Sequence, residues 1–101
     1  MRMLVEWDMP LEPFNTLVKN GTAGPTIEKI LGAIKPEAVY FTARNGKRGG
    51  TMVVDMPDAS WIPKIGEHLF LAFDANVRVH PCMTPEDLAK AGLDELGKLY
   101  A

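Results

Sequence analysis

Along the first nine residues apolar and polar positions alternate, with Met3, Val5, Trp7 and Met9 on one side and Arg2, Leu4, Glu6 and Asp8 on the other. A period of two marks a strand with one buried face, because successive side chains point to opposite faces. From about residue 11 the period lengthens. Phe14, Leu17 and Val18, then Ile27, Leu31 and Ile34, recur at three- and four-residue spacing, with Gly21 and Gly24 filling the same stripe, which predicts one helix over about residues 11–34. Pro25 falls inside it. A proline ring clashes with the carbonyl four residues back and removes a ladder bond, so a kink or short break is expected there.

Pro36 ends that helix, and two β-rich runs follow, AVYFTAR over residues 38–44 and TMVVDM over residues 51–56. Between them Asn45-Gly46 is a hairpin signal, since both residues tolerate positive φ, and Gly49-Gly50 allow a bulge or a longer loop. Asp58 is placed to cap a helix through residues 59–73, with Ile62, Ile65, Leu69 and Phe73 as its buried stripe and Pro63 in its first turns. NVRVHPCM, residues 76–83, predicts a fourth strand. Thr84, Pro85 and Asp87 then have the pattern of a capped helix start, and Gly92 and Gly97 are the points where that last helix would divide.

The order β-α-β-β-α-β plus a C-terminal helix predicts an α+β, ferredoxin-like domain over residues 1–101: a four-stranded antiparallel sheet, strands one and three central, both helices on one face. Met3, Val5, Trp7, Val39, Phe41, Ala43, Met52, Val54, Val77 and Val79 all fit the helix-covered face. The other face is mixed. Leu4, Tyr40, Val53 and Cys82 interrupt its charges, which argues for partial cover rather than open water.

A chain of 101 residues, 47% hydrophobic, has room for one core. Its net charge of −2 offers no field for a polyanion, so nucleic acid is excluded as the expected partner. The single cysteine makes no internal disulfide, and Glu6 and Asp8 interrupt any apolar leader, which points to the cytoplasm. No apolar run is long enough for a membrane helix. The segment NGKRGG lacks the strand-to-helix context of a phosphate loop, because Lys47 is followed by Arg48 and then a strand. It is expected to be a solvated hairpin tip, with Arg44, Lys47 and Arg48 keeping it soluble and anion binding by these three as the lesser alternative.

Candidate chemistry gathers on the mixed face. His80 is suited to moving a proton, Asp55 or Glu6 to orienting it, Arg44 or Arg78 to holding a carboxylate or enolate, and Tyr40 to donating a hydrogen bond. Each has a plainer reading. Glu6 and Arg78 become a cross-strand ion pair if strands one and four run antiparallel, and histidine and tyrosine are common at subunit contacts. His68 has no companions at ligand spacing, so no metal site is expected.

The stretches MRMLVEW, RGGTMVVDMPD and LFLAFDANVRVHPCMTPEDL resemble a small bacterial domain family of unknown function in the dimeric α+β barrel superfamily, alongside muconolactone isomerases, EthD-like proteins and cofactor-independent antibiotic monooxygenases. The resemblance covers nearly the whole chain. It implies a homodimer whose sheets pack face to face around a cleft, and it implies no activity; the reading taken from the candidate residues is a cofactor-free isomerase or oxygenase type that binds or transforms a small organic acid or aromatic metabolite in that cleft. It supplies no catalytic motif, and a non-enzymatic ligand-binding or interaction module is the alternative.

Overall fold

The computed structural model describes residues 1–101. Its centre is β1 (Arg2–Met9), which pairs antiparallel with β3 (Lys47–Asp55) on one side and β4 (Asn76–Pro81) on the other, while β2 (Ala38–Arg44) pairs with the far edge of β3. The strand order β2-β3-β1-β4 is that of a ferredoxin-like α+β domain, with strands one and three central as the element order predicted.

The hairpin is tighter than the glycines suggested. Asn45 and Gly46 both have positive φ, 54° and 75°, and make a two-residue turn flanked by the pair Arg44 and Lys47. β3 therefore begins four residues before Thr51, and Gly49 and Gly50 are strand residues, not loop. Gly50 lies opposite Trp7 on one side and Phe41 on the other, and a Cβ there would run into the Trp7 ring and the Tyr40 carbonyl. The missing side chain gives the indole its place.

The first helical segment is two helices rather than one kinked helix. α1 (Phe14–Lys19) ends at Asn20, Gly21 turns the chain at φ 80°, and α2 (Ala23–Ile34) begins after Thr22. Pro25 is not the break. It is the third residue of α2, where no intrahelical donor is required, so the ring is tolerated there and the left-handed glycine makes the turn instead.

α3 (Trp61–Phe73) carries its buried side on Ile65, Gly66, Leu69 and Phe73, whereas Ile62 is 41% exposed and lies off the stripe expected for it. Asp58 accepts the Ser60 amide at 2.9 Å and shapes the turn before the helix rather than capping it. At the far end, Thr84 Oγ1 accepts the Asp87 amide at 3.1 Å and Asp87 Oδ2 accepts the Thr84 amide at 3.0 Å, a reciprocal cap that starts α4 (Pro85–Lys90). Gly92, at φ 69°, divides it from α5 (Leu93–Lys98), and Gly97 does not interrupt the second piece.

Val5, Met52, Val54, Ile65 and Leu69 are the most buried side chains, held between β1, β3 and α3. Phe41 and Ala43, on the edge strand β2, point to the same face yet are exposed, Phe41 by 56%. No helix is long and apolar enough to cross a membrane.

Candidate functional site

On the helix-free face the register puts Glu6 opposite both Arg78 on β4 and Thr51 on β3. Arg78 Nε lies 3.7 Å from Glu6 Oε2, and its Nη1 donates to Asp8 Oδ2 at 3.1 Å. Asn76 Nδ2 donates to the other Asp8 oxygen at 3.0 Å. From β2, Arg44 Nη2 donates to Thr51 Oγ1 at 3.2 Å, and its Nη1 comes within 3.6 Å of Glu6 Oε2, too far for a hydrogen bond. Two guanidinium groups and two carboxylates thus form one neutral chain across all four strands. The Asn76 amide holds the Asp8 carboxyl below its ordinary range; burial of Asp8 opposes this and Arg78 adds to it.

The remaining sequence candidates stand apart from that chain. Asp55 pairs with the N-terminal ammonium at 3.3 Å, four residues along β3 from Thr51 and therefore about 13 Å away along the strand. His80 is exposed, lies opposite Leu4, and makes no side-chain hydrogen bond. Tyr40 is 73% exposed on the edge strand, opposite Thr51. Arg44, Arg78 and Glu6 are therefore brought together, Asp55 lies at the far end of β3, and neither His80 nor Tyr40, though Tyr40 is the strand neighbour of Thr51, bonds to them.

The other face holds a feature that the sequence reading, which placed Trp7 and Phe41 only as residues of the helix-covered face, did not foresee. Between the sheet and α1, α2 and α3 lies a cavity of about 200 Å3, walled by Trp7, Phe14, Ile27, Phe41 and Phe73 and bounded on the hairpin side by Arg48. Trp7 meets Phe41 edge to face at 5.9 Å, and Phe14 meets Phe73 in the same way at 5.4 Å. The indole Nε1 of Trp7 is buried without an acceptor. Arg48 is not a solvated tip residue as expected: its guanidinium lies 5.0 Å over the Phe14 ring, and its Nη1 donates to Asn15 Oδ1 at 2.7 Å. No carboxylate pairs with it, although Glu12 is near enough to feel its charge.

Arg48 and Asn15 are 33 residues apart in the chain, and no local pattern links them. Two signals were available: a two-residue turn at Asn45-Gly46 sets a register in which Arg48 shares the face of Met52 and Val54, and the Gly49-Gly50 pair marks close backbone approach as readily as it marks a loop. What the hollow can do follows from its walls. It offers aromatic surface to a flat apolar group and one unpaired cation to an anion. Elsewhere, no three His, Cys, Asp or Glu side chains converge as metal ligands.

No family model matches the sequence, and no curated protein does. Solved structures do match in shape. One is the 5-chloro-2-hydroxyhydroquinone dehydrochlorinase of Burkholderia phenoliruptrix AC1100 in complex with 2,5-dihydroxybenzoquinone, at TM-score 0.62 and 13% identity over 85% of this chain and 97% of that one. Another is a formyltetrahydrofolate deformylase from Pseudomonas putida KT2440, at TM-score 0.50 and 11% identity, where 81% of this chain spans 29% of the longer protein. At such identities the likeness is one of fold.

Proposed function

We propose that the protein is a homodimer that binds a small single-ring organic acid, with the ring in the cavity under α1, α2 and α3 and the carboxylate against Arg48. The observation behind this is an unpaired guanidinium at the edge of an aromatic-walled hollow of about 200 Å3. An apolar cavity of roughly 150 Å3 is enough to take up benzene, so size permits one ring. The protein of similar fold solved with 2,5-dihydroxybenzoquinone supports a ligand of this class. In this reading the helix-free faces of two copies meet, and Arg44, Glu6, Arg78 and Asp8 set their register.

The test is binding of benzoate, measured by calorimetry and thermal shift beside benzyl alcohol. Benzoate is expected to bind and to raise the melting temperature, and Arg48→Leu to weaken it by tenfold or more, in line with a charge-assisted hydrogen bond of about 1.5–3 kcal/mol. Equal binding of benzoate by Arg48→Leu, or no binding of any single-ring acid by the wild type, removes the proposal.

A second reading places chemistry in the cleft between paired sheets, with Arg44 or Arg78 holding an enolate, His80 moving a proton, Glu6 or Asp55 orienting it, and Tyr40 donating from the edge. It is favoured by the position of His80, unpartnered and two residues from Arg78 on one face of β4. A cofactor-free isomerase or oxygenase would then lose turnover in His80→Ala while keeping benzoate affinity at Arg48.

A further inference from the structure

The last hydrogen bond between the body and the C-terminal segment runs from the Cys82 amide to the Arg2 carbonyl, at 3.1 Å. Beyond it every hydrogen bond made by residues 84–101 stays within the segment. Neither α4 nor α5 has a buried residue, and Leu88, Leu93, Leu96, Leu99 and Tyr100 are 48–88% exposed. Leu93 and Leu96, three residues apart, share one side of α5, and Leu99 and Tyr100 follow it in the turn beyond. This is an arm with an apolar face and nothing of its own chain beneath it.

The shape gives the amount of surface involved. The chain measures 61 × 29 × 18 Å, with a radius of gyration of 17.3 Å against about 13 Å for a compact chain of this length. It exposes 6833 Å2, whereas a folded monomer of its mass exposes roughly 5,700 Å2. The surplus, roughly 1,100 Å2, exceeds the ~800 Å2 that each partner contributes to a standard interface. Charge is divided in the same way. Residues 84–101 carry two lysines and four carboxylates, which accounts for the whole net charge of −2, so the body is balanced.

We infer that the arm of one copy lies across a second copy of the chain, and this rests on the homodimer reading above. The arm leaves the sheet at the end marked by Arg2 and Asp55, while the cationic hairpin with Lys47 is at the other end. Two sheets paired head to tail set each acidic arm toward the partner's hairpin, and its leucines against apolar surface that the partner leaves open.

The experiment is the dimer dissociation constant of the full chain by sedimentation equilibrium, for the wild type, for Leu93→Asp with Leu96→Asp, and for Val53→Asp on the helix-free face. Near-UV circular dichroism of Trp7 and Trp61 reports whether the body remains folded. The expected result is a dimeric wild type and at least tenfold weaker dimerisation in the arm variant, with an unchanged Trp spectrum. Unchanged dimerisation in the arm variant overturns the arm inference. If Val53→Asp alone dissociates the dimer, paired sheets stand without the arm. A wild type that is monomeric overturns both, and a radius of gyration near 13 Å in that monomer would place the arm on its own body.

Discussion

Arg48 on β3 lies with its guanidinium 5.0 Å from the centre of the Phe14 ring on α1. One residue further along α1, Asn15 accepts its Nη1 hydrogen bond at 2.7 Å. These two contacts tie the hairpin to the first helix and fix a cation at the edge of the aromatic hollow. Strand register puts Arg48 on this face, opposite Met9 and Ala43, and α1 supplies the ring and the amide that hold its guanidinium there.

Lysine at this position keeps the charge but loses the planar fork and most of the stacking. Arg48→Lys is expected to lower stability by about 1 kcal/mol, or several degrees in melting temperature for a domain of this size. Benzoate affinity should fall less than in Arg48→Leu. Urea denaturation and calorimetry read the two effects, and identical behaviour of Lys and Leu at this position would rule out a role for its charge.

Gly50 has no room for a Cβ against the Trp7 ring and the Tyr40 carbonyl. Gly50→Ala should therefore cost about 1–3 kcal/mol, the usual range for overpacking, and should shift the Trp7 environment. Denaturant midpoints and Trp fluorescence would show it. A variant as stable as the wild type would mean that the indole does not occupy this site.

Leu69 is 2% exposed and lines the cavity. Leu69→Ala is expected to lose about 2–5 kcal/mol and to enlarge the hollow. A two-ring acid such as naphthoate should then stabilise the variant more than the wild type in a thermal-shift series. The same preference order in both proteins would place the ligand elsewhere.

Asp8 accepts hydrogen bonds from Asn76 and Arg78, and its carboxyl is held below its ordinary value in the folded chain. A carboxyl with a lowered folded pKa contributes stability in full above its unfolded value, near 3.9, and loses it as the pH falls through the folded value. The wild type should therefore exceed Asp8→Asn by about 1 kcal/mol at pH 6, and this lead should shrink below about pH 4. Denaturation at several pH values measures the gap. A lead that is constant down to pH 2 would show that the ionised carboxylate contributes nothing.

Local signals carried the chain a long way. The alternation in β1, the Asn45-Gly46 turn and the Thr84–Asp87 cap are each decided by backbone preferences within a few residues, and each was legible. The boundary between α1 and α2 was misplaced because proline is harmless in a first turn, and the residue that turns the chain there is Gly21 at positive φ. The cross-strand neighbours Glu6 and Arg78 followed from antiparallel register, whereas the Arg44 contribution depended on how far a long side chain reaches across β3.

By itself, then, the order of residues determined the sequence of strands and helices apart from the start of β3 and the division of α1 from α2, which face of each strand is oily, and that the sheet would be four-stranded with β1 and β3 inside, because these depend on periodicity and turn chemistry. Only the tertiary structure decided that Arg48 meets Phe14 and Asn15, that Trp7, Phe41 and Phe73 leave a hollow instead of filling it, and that α4 and α5 find no cover. Those outcomes depend on how layers built from distant segments fit in three dimensions, and packing volume is not written in the spacing of residues along a chain.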